Sequence, residues 1–157
     1  MSFKDDVEHA PRQTQPSIPA IQLNAGWRKA LVVDDSKIVR SLVGDRLRVV
    51  GFSVTTREHV DGAALAIAAD PPHVIILDLQ LVGCMLDGAS FVERLRGLLG
   101  ARMPAIVLHS AVSREILQDT ARRLGVEWCQ KDPKGQISGL LDMVCRLVPE
   151  RKIGKSK

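Results

Sequence analysis

Five times along this chain a short apolar run gives way to a longer stretch whose apolar residues recur at helical spacing. The runs at 29–33, 52–56, 74–77, 105–108 and 126–130 read as strands. The third, Val74-Ile75-Ile76-Leu77, is apolar throughout, which suits a strand buried on both faces of a parallel sheet. Helices are predicted over about 37–49, 61–69, 89–99, 114–124 and 137–148. In the first, Ile38, Val39, Leu42, Val43 and Leu47 form one stripe, with Arg40, Arg46 and Arg48 off it. Ser36 is placed to cap that helix and Gly51 to end it. Pro71-Pro72 stops the second helix and Gly125 closes the fourth. Phe91, Val92, Leu95, Leu98 and Leu99 are the expected inward face of the third, and Ile137, Leu140, Leu141, Val144, Leu147 and Val148 that of the fifth. Strand then helix, repeated five times, argues a doubly wound α/β fold: a five-stranded parallel sheet carrying five helices.

Every predicted strand but the second ends in a polar group. Asp34 and Asp35 follow the first, Asp78 the third, Ser110 the fourth and Lys131 the fifth. In a parallel sheet these tips share one edge, where ligands of open α/β folds bind. Three carboxylates within a few ångströms repel one another, and a divalent cation is one remedy. An oxygen-only donor set suits Mg²⁺. A carboxylate beside such a metal is a candidate nucleophile toward phosphorus. Lys131 can compensate the charge of the new phosphoryl group, and Ser110 can donate to it.

Composition narrows the surroundings. The 157 residues fit one domain with tails: a polar, Pro-containing segment over 1–27, a domain over 28–149 and a basic tail over 150–157. The net charge of +4 is mild, aromatics are 3% and Tyr is absent, which argues against a base-stacking platform and direct nucleic-acid binding. No apolar run approaches the roughly 18 residues of a membrane span. Cys84, Cys129 and Cys145 follow no metal-ligand spacing, so a reducing, cytoplasmic compartment is expected.

Leu31-Val32-Val33-Asp34-Asp35-Ser36, Ile75-Ile76-Leu77-Asp78, Ser110-Ala111 and Lys131 stand in order at successive strand tips. In this the chain resembles the receiver domain of two-component response regulators, over about Ala30 to Val148. The resemblance implies a flavodoxin-like sheet of order 2-1-3-4-5. It implies Asp78 as acceptor of a phosphoryl group from a sensor histidine kinase or histidine phosphotransfer protein. It implies Mg²⁺ held by Asp34, Asp35, Asp78 and the main-chain carbonyl of Gln80. Ser110 and Lys131 would contact the phosphoryl group, and Trp128 falls at the family's aromatic switch position. Output would pass by protein contact through helix four, strand five and helix five, with homodimerisation possible. Eight residues after Pro149 leave no room for a DNA-binding output domain, so a single-domain regulator is the expectation. It would be no enzyme beyond its own phosphorylation and dephosphorylation.

Two departures from the family pattern stand out. Gly88 comes two residues later than the usual glycine, placing extra residues within 83–86, and Lys131 is followed by Asp132-Pro133 rather than by proline directly. Three rivals remain open. One is a pseudo-receiver acting as a phosphorylation-independent interaction module. A haloacid-dehalogenase-like phosphatase would need Asp-x-Asp where Asp34-Asp35-Ser36 stands. A flavodoxin-like redox carrier would need a phosphate loop where Asp34 and Asp35 would repel phosphate.

Overall fold

The computed structural model describes residues 27–81 and 87–151. Strands and helices alternate as β1 (Lys29–Val33), α1 (Lys37–Val49), β2 (Ser53–Arg57), α2 (Val60–Ala69), β3 (Val74–Leu77), α3 (Gly88–Leu99), β4 (Ala105–Ser110), α4 (Arg114–Leu124), β5 (Glu127–Gln130) and α5 (Ser138–Leu147). The five strands pair in parallel in the order β2-β1-β3-β4-β5. This is the expected doubly wound order, with β3 in the middle.

The central strands are apolar throughout because both faces of the sheet are covered. Leu31, Val33, Ile75, Leu77, Ile106 and Leu108 point to one face, where they meet Ala63 and Ile67 of α2, Phe91, Val92 and Leu95 of α3, and Leu117, Ala121 and Leu124 of α4. Ala30, Val32, Val74, Ile76 and Val107 point to the other and meet Val43 and Leu47 of α1 and Leu140 and Val144 of α5. Each fully buried aliphatic side chain contributes about 1.5–3 kcal/mol. This double layer is what holds the strand tips in place.

Local signals act where expected. The Ser36 hydroxyl accepts from the N–H of Val39 at 3.3 Å, capping α1. Gly125 ends α4 at φ 65°, in the left-handed region that spares a Cβ clash. Several expectations are corrected. Strand β2 spans 53–57, because Phe52 turns out of register with its N–H on the Leu47 carbonyl, while its side chain is buried. Strand β4 runs two residues further, through His109 and Ser110, since ladder hydrogen bonds do not stop where apolar residues do. Ile38 is 80% exposed, as it lies five residues before Val43, about 140° around the helix from the buried line. Leu98, in the last turn of α3, is likewise exposed.

At the sheet edge opposite the strand tips, Arg28 is buried. Its guanidinium donates to the Val148 carbonyl at 3.2 Å and to the Val50 carbonyl, so it joins the carboxyl ends of α5 and α1. It also contacts Glu150 at 3.3 Å and stacks 4.4 Å over the Phe52 ring. Beside it Trp27 meets His73 edge-on at 5.4 Å, and Arg151 lies 4.5 Å over the Trp27 ring.

Candidate functional site

Asp34 and Asp78 are neighbours because β1 and β3 are paired with Val33 opposite Leu77, one residue short of each carboxylate. The ladders continue one step further. The Asp34 N–H donates to the Arg57 carbonyl at 3.1 Å, and the Asp78 N–H to the Val33 carbonyl at 3.0 Å. Both carboxylates are therefore fixed by sheet hydrogen bonds rather than carried on a loop. Each turns one oxygen back on its own chain: Asp34 Oδ1 accepts from the Ser36 N–H at 2.9 Å, and Asp78 Oδ1 from the Gln80 N–H at 3.0 Å. The other oxygen of each faces Lys131, whose Nζ lies 2.7 Å from both Asp34 Oδ2 and Asp78 Oδ2. The Lys131 N–H is itself bonded to the Ser110 carbonyl at 2.9 Å, which sets its reach.

Asp35 completes the cluster. Carboxylate oxygens of Asp34, Asp35 and Asp78 lie within 4.8 Å of one another. Asp34 and Asp78 are buried and Asp35 is half-buried, so the cluster opens on one side. Burial pushes the Asp34 carboxyl above its ordinary range, against the lowering pull of Lys131 and the Ser36 N–H. Burial also pulls on the Lys131 ammonium, but the two carboxylates outweigh it and raise its pKa. An all-oxygen set of three carboxylates is the donor chemistry of a hard divalent cation such as Mg²⁺, and these residues fit one.

Ser110 is fully buried, and its hydroxyl has no hydrogen-bond partner among the described residues. Buried hydroxyls are seldom left unpaired. The preceding His109 is also buried, with Nδ1 unpartnered among the described residues. Its burial, then the charge of Lys131, lower its pKa to about 4, so it is neutral at pH 7. His109 pairs with Cys129, which packs on the α1 and α5 face of the sheet, and alternation along β4 sets Ser110 on the opposite face.

The structure thus brings together Asp34, Asp35, Asp78 and Lys131, with Ser110 tied to Lys131 through its main-chain carbonyl. Gln80 adjoins Asp78 through its N–H. Trp128, half-buried on β5, pairs with Leu108 and so shares a sheet face with Ser110. Cys84 and the extra residues at 83–86 lie outside the described residues. Three contacts escaped the sequence reading. Arg40 reaches back from α1 to donate to the Asp34 carbonyl at 2.7 Å. Its position off the apolar stripe was visible, but its direction was not. Arg114 places its guanidinium 5.4 Å from the Trp128 ring centroid. Gly88 packs so close to the end of β3 that a Cβ there would stand 2.5 Å from the Asp78 carbonyl oxygen. The late glycine therefore still docks α3 directly on Asp78.

Comparison with known proteins agrees with this geometry. Residues 30–129 match the response regulator receiver domain family. The chain is 40% identical over 63 residues to the nitrogen assimilation regulatory protein NtrX of Azorhizobium caulinodans, covering 40% of this chain and 14% of that protein. It is 30% identical over 139 residues to protein-glutamate methylesterase/protein-glutamine glutaminase 1 of Syntrophomonas wolfei, covering 83% of this chain and 36% of that one. It thus spans a minor part of both curated relatives. Among solved structures, the response regulator TrrA of Thermotoga maritima, in complex with Mg²⁺ and BeF, superposes with a TM-score of 0.66 at 22% identity, over 77% of this chain and 99% of that one.

Proposed function

This chain belongs to the response regulator receiver domain family, and on that premise we propose that it is a phosphoacceptor switch whose acceptor is Asp78. The observation that carries this reading is one constellation: buried Asp78 clustered with Asp34 and Asp35 and held by an ammonium it shares with Asp34. The donor would be a phosphohistidine of a sensor histidine kinase or a histidine phosphotransfer protein. A carboxylate oxygen of Asp78 forms the new bond to phosphorus. The bond from phosphorus to the donor imidazole breaks, and its electron pair returns to the ring nitrogen.

Asp34, Asp35, Asp78 and the Gln80 main-chain carbonyl are the groups that would hold Mg²⁺, which when bound would neutralise charge on the phosphoryl oxygens. Lys131 loses one carboxylate partner when Asp78 is esterified, and its Nζ turns to a phosphoryl oxygen instead. The Ser110 hydroxyl gains an acceptor. Trp128, on the same sheet face, responds to the movement of Ser110, and the change is read by a protein partner on α4, β5 and α5. Ile38, exposed in the first turn of α1 beside the acidic tips, offers an apolar anchor for the donor protein. The reading extends to a receiver that works as a single domain in the cytoplasm. No helix among the described residues is long and apolar enough to cross a membrane.

Intact mass after incubation with Mg²⁺ and acetyl phosphate tests the reading. One added phosphoryl group is expected, lost in Asp78→Asn and on omitting the metal. No adduct on folded protein would sink it and favour a phosphorylation-independent interaction module.

A further inference from the structure

Arg114 opens α4 and lays its guanidinium 5.4 Å from the Trp128 ring centroid. Trp128 stands on the edge strand β5, half-buried against the core under α3 and α4. Between Ser110 and Arg114 lie only three residues, and they are tied a second time, for the Gln130 side chain donates to the Val112 carbonyl at 3.0 Å. The connection from β4 to α4 is thus fixed to β5 at two points, while the Ser110 hydroxyl at its start has no partner among the described residues. Any shift of Ser110 toward an acceptor pulls on a segment whose far end is fastened to the indole.

We propose that Arg114 is a positioning residue: a latch that holds the Trp128 indole in place and so sets how readily the switch turns. This rests on the phosphoacceptor reading and deepens it. A cation over an indole face biases the two positions of the ring by about two- to five-fold at a partly exposed site. Arg114 is exposed on its outer side, so water competes for it and the latch is weak enough to open. By linkage, whatever favours the latched position disfavours binding at the phosphoryl site by the same factor.

The test uses the full chain carrying Trp27→Phe, so that Trp128 is the one indole that reports. Mg²⁺ with beryllofluoride, a phosphoryl mimic, is titrated into wild type, Arg114→Ala and Arg114→Lys with emission as readout, and acrylamide quenching is measured without ligand. Arg114→Ala is expected to bind beryllofluoride about two- to five-fold tighter and to quench more readily. Arg114→Lys keeps a cation over the ring and is expected to return both toward wild type, which a purely structural role would not require. Absence of beryllofluoride binding by wild type would overturn the phosphoacceptor reading. Equal quenching of wild type and Arg114→Ala would overturn the latch, whichever way the titration falls. Tighter quenching with unchanged beryllofluoride affinity would also overturn it, since the stack would then be a ring cover and nothing more.

Discussion

Replacing Lys131 by Met removes the charge at nearly constant length and leaves two buried carboxylates facing each other. In the parent, Nζ is 2.7 Å from an oxygen of each, and the side chains of Asp34 and Asp78 are only 3% and 5% exposed. Stranding one member of a buried pair costs about 3–5 kcal/mol. The lower end applies, because the Lys131 side chain is 17% exposed and water can enter where it leaves. About 3 kcal/mol corresponds to roughly 10 °C in Tm for a domain of this length. The loss also has a sign in pH. Asp34 has a pKa raised above its ordinary 3.8, so its contribution to stability is present below that value and is lost as pH rises through the folded one. Lys131 supplies two of the three effects that hold that pKa down, so in Lys131→Met the loss extends to higher pH. Lys131, itself raised above 10.5, keeps its stabilisation through neutral pH and surrenders it only on the alkaline side. Urea unfolding of both proteins at acid and slightly alkaline pH should show a deficit that widens as pH rises. Mg²⁺ at ten times the variant's Kd should return about 1.4 kcal/mol to the variant and less to the parent, whose Lys131 already holds the same oxygens. A deficit of equal size at both pH values and indifferent to Mg²⁺ would refute the idea that Lys131 compensates these carboxylates.

Gly88→Ala is expected to lose about 1–3 kcal/mol in urea unfolding and to label more slowly at Asp78, since its Cβ meets backbone that cannot swing away; wild-type behaviour in both assays would show that α3 is not seated there. Arg28→Met should cost about 2–4 kcal/mol by leaving helix-end carbonyls unpaired, while Mg²⁺ affinity, read by titration, stays as in wild type because the opposite sheet edge is untouched. His109 has a folded pKa of about 4 against an ordinary 6.5, so its contribution is full above 6.5 and is lost as pH falls toward 4. His109→Leu should flatten the stability profile over that window, and an unchanged profile would mean that some other group sets it.

The layers of this fold were legible because burial on both sheet faces leaves its mark as unbroken apolar strands, and because Ser36 and Gly125 are residues whose backbone preferences allow few other uses. The chemistry was legible because polar residues at strand tips interrupt that pattern at one edge. What escaped was direction. Ile38 and Leu98 look like core residues to a helical stripe, yet neighbouring elements set how much of each helix is covered. Arg28 reads as surface because burial of a guanidinium depends on carbonyls more than 20 residues away, at Val50 and Val148. The Arg114 stack and the Gly88 contact join elements distant along the chain, and no local spacing encodes them. The sheet also extended past the apolar run of β4, because backbone pairing is blind to side-chain polarity.

Where Arg151 crosses Trp27, the two ends of the described fold meet. The described fold is in effect a nearly closed ring, and a linker of a few residues between 27 and 151 would close it. Sequence order is then partly a convention: the pocket depends on which strands lie side by side, and a circularly permuted chain opened at an exposed turn should assemble the same acidic cluster. The seam also lies across the full length of the strands from Asp78, roughly 15 Å away. A fluorophore, tether or second protein joined at either side of that seam would leave the donor's approach clear.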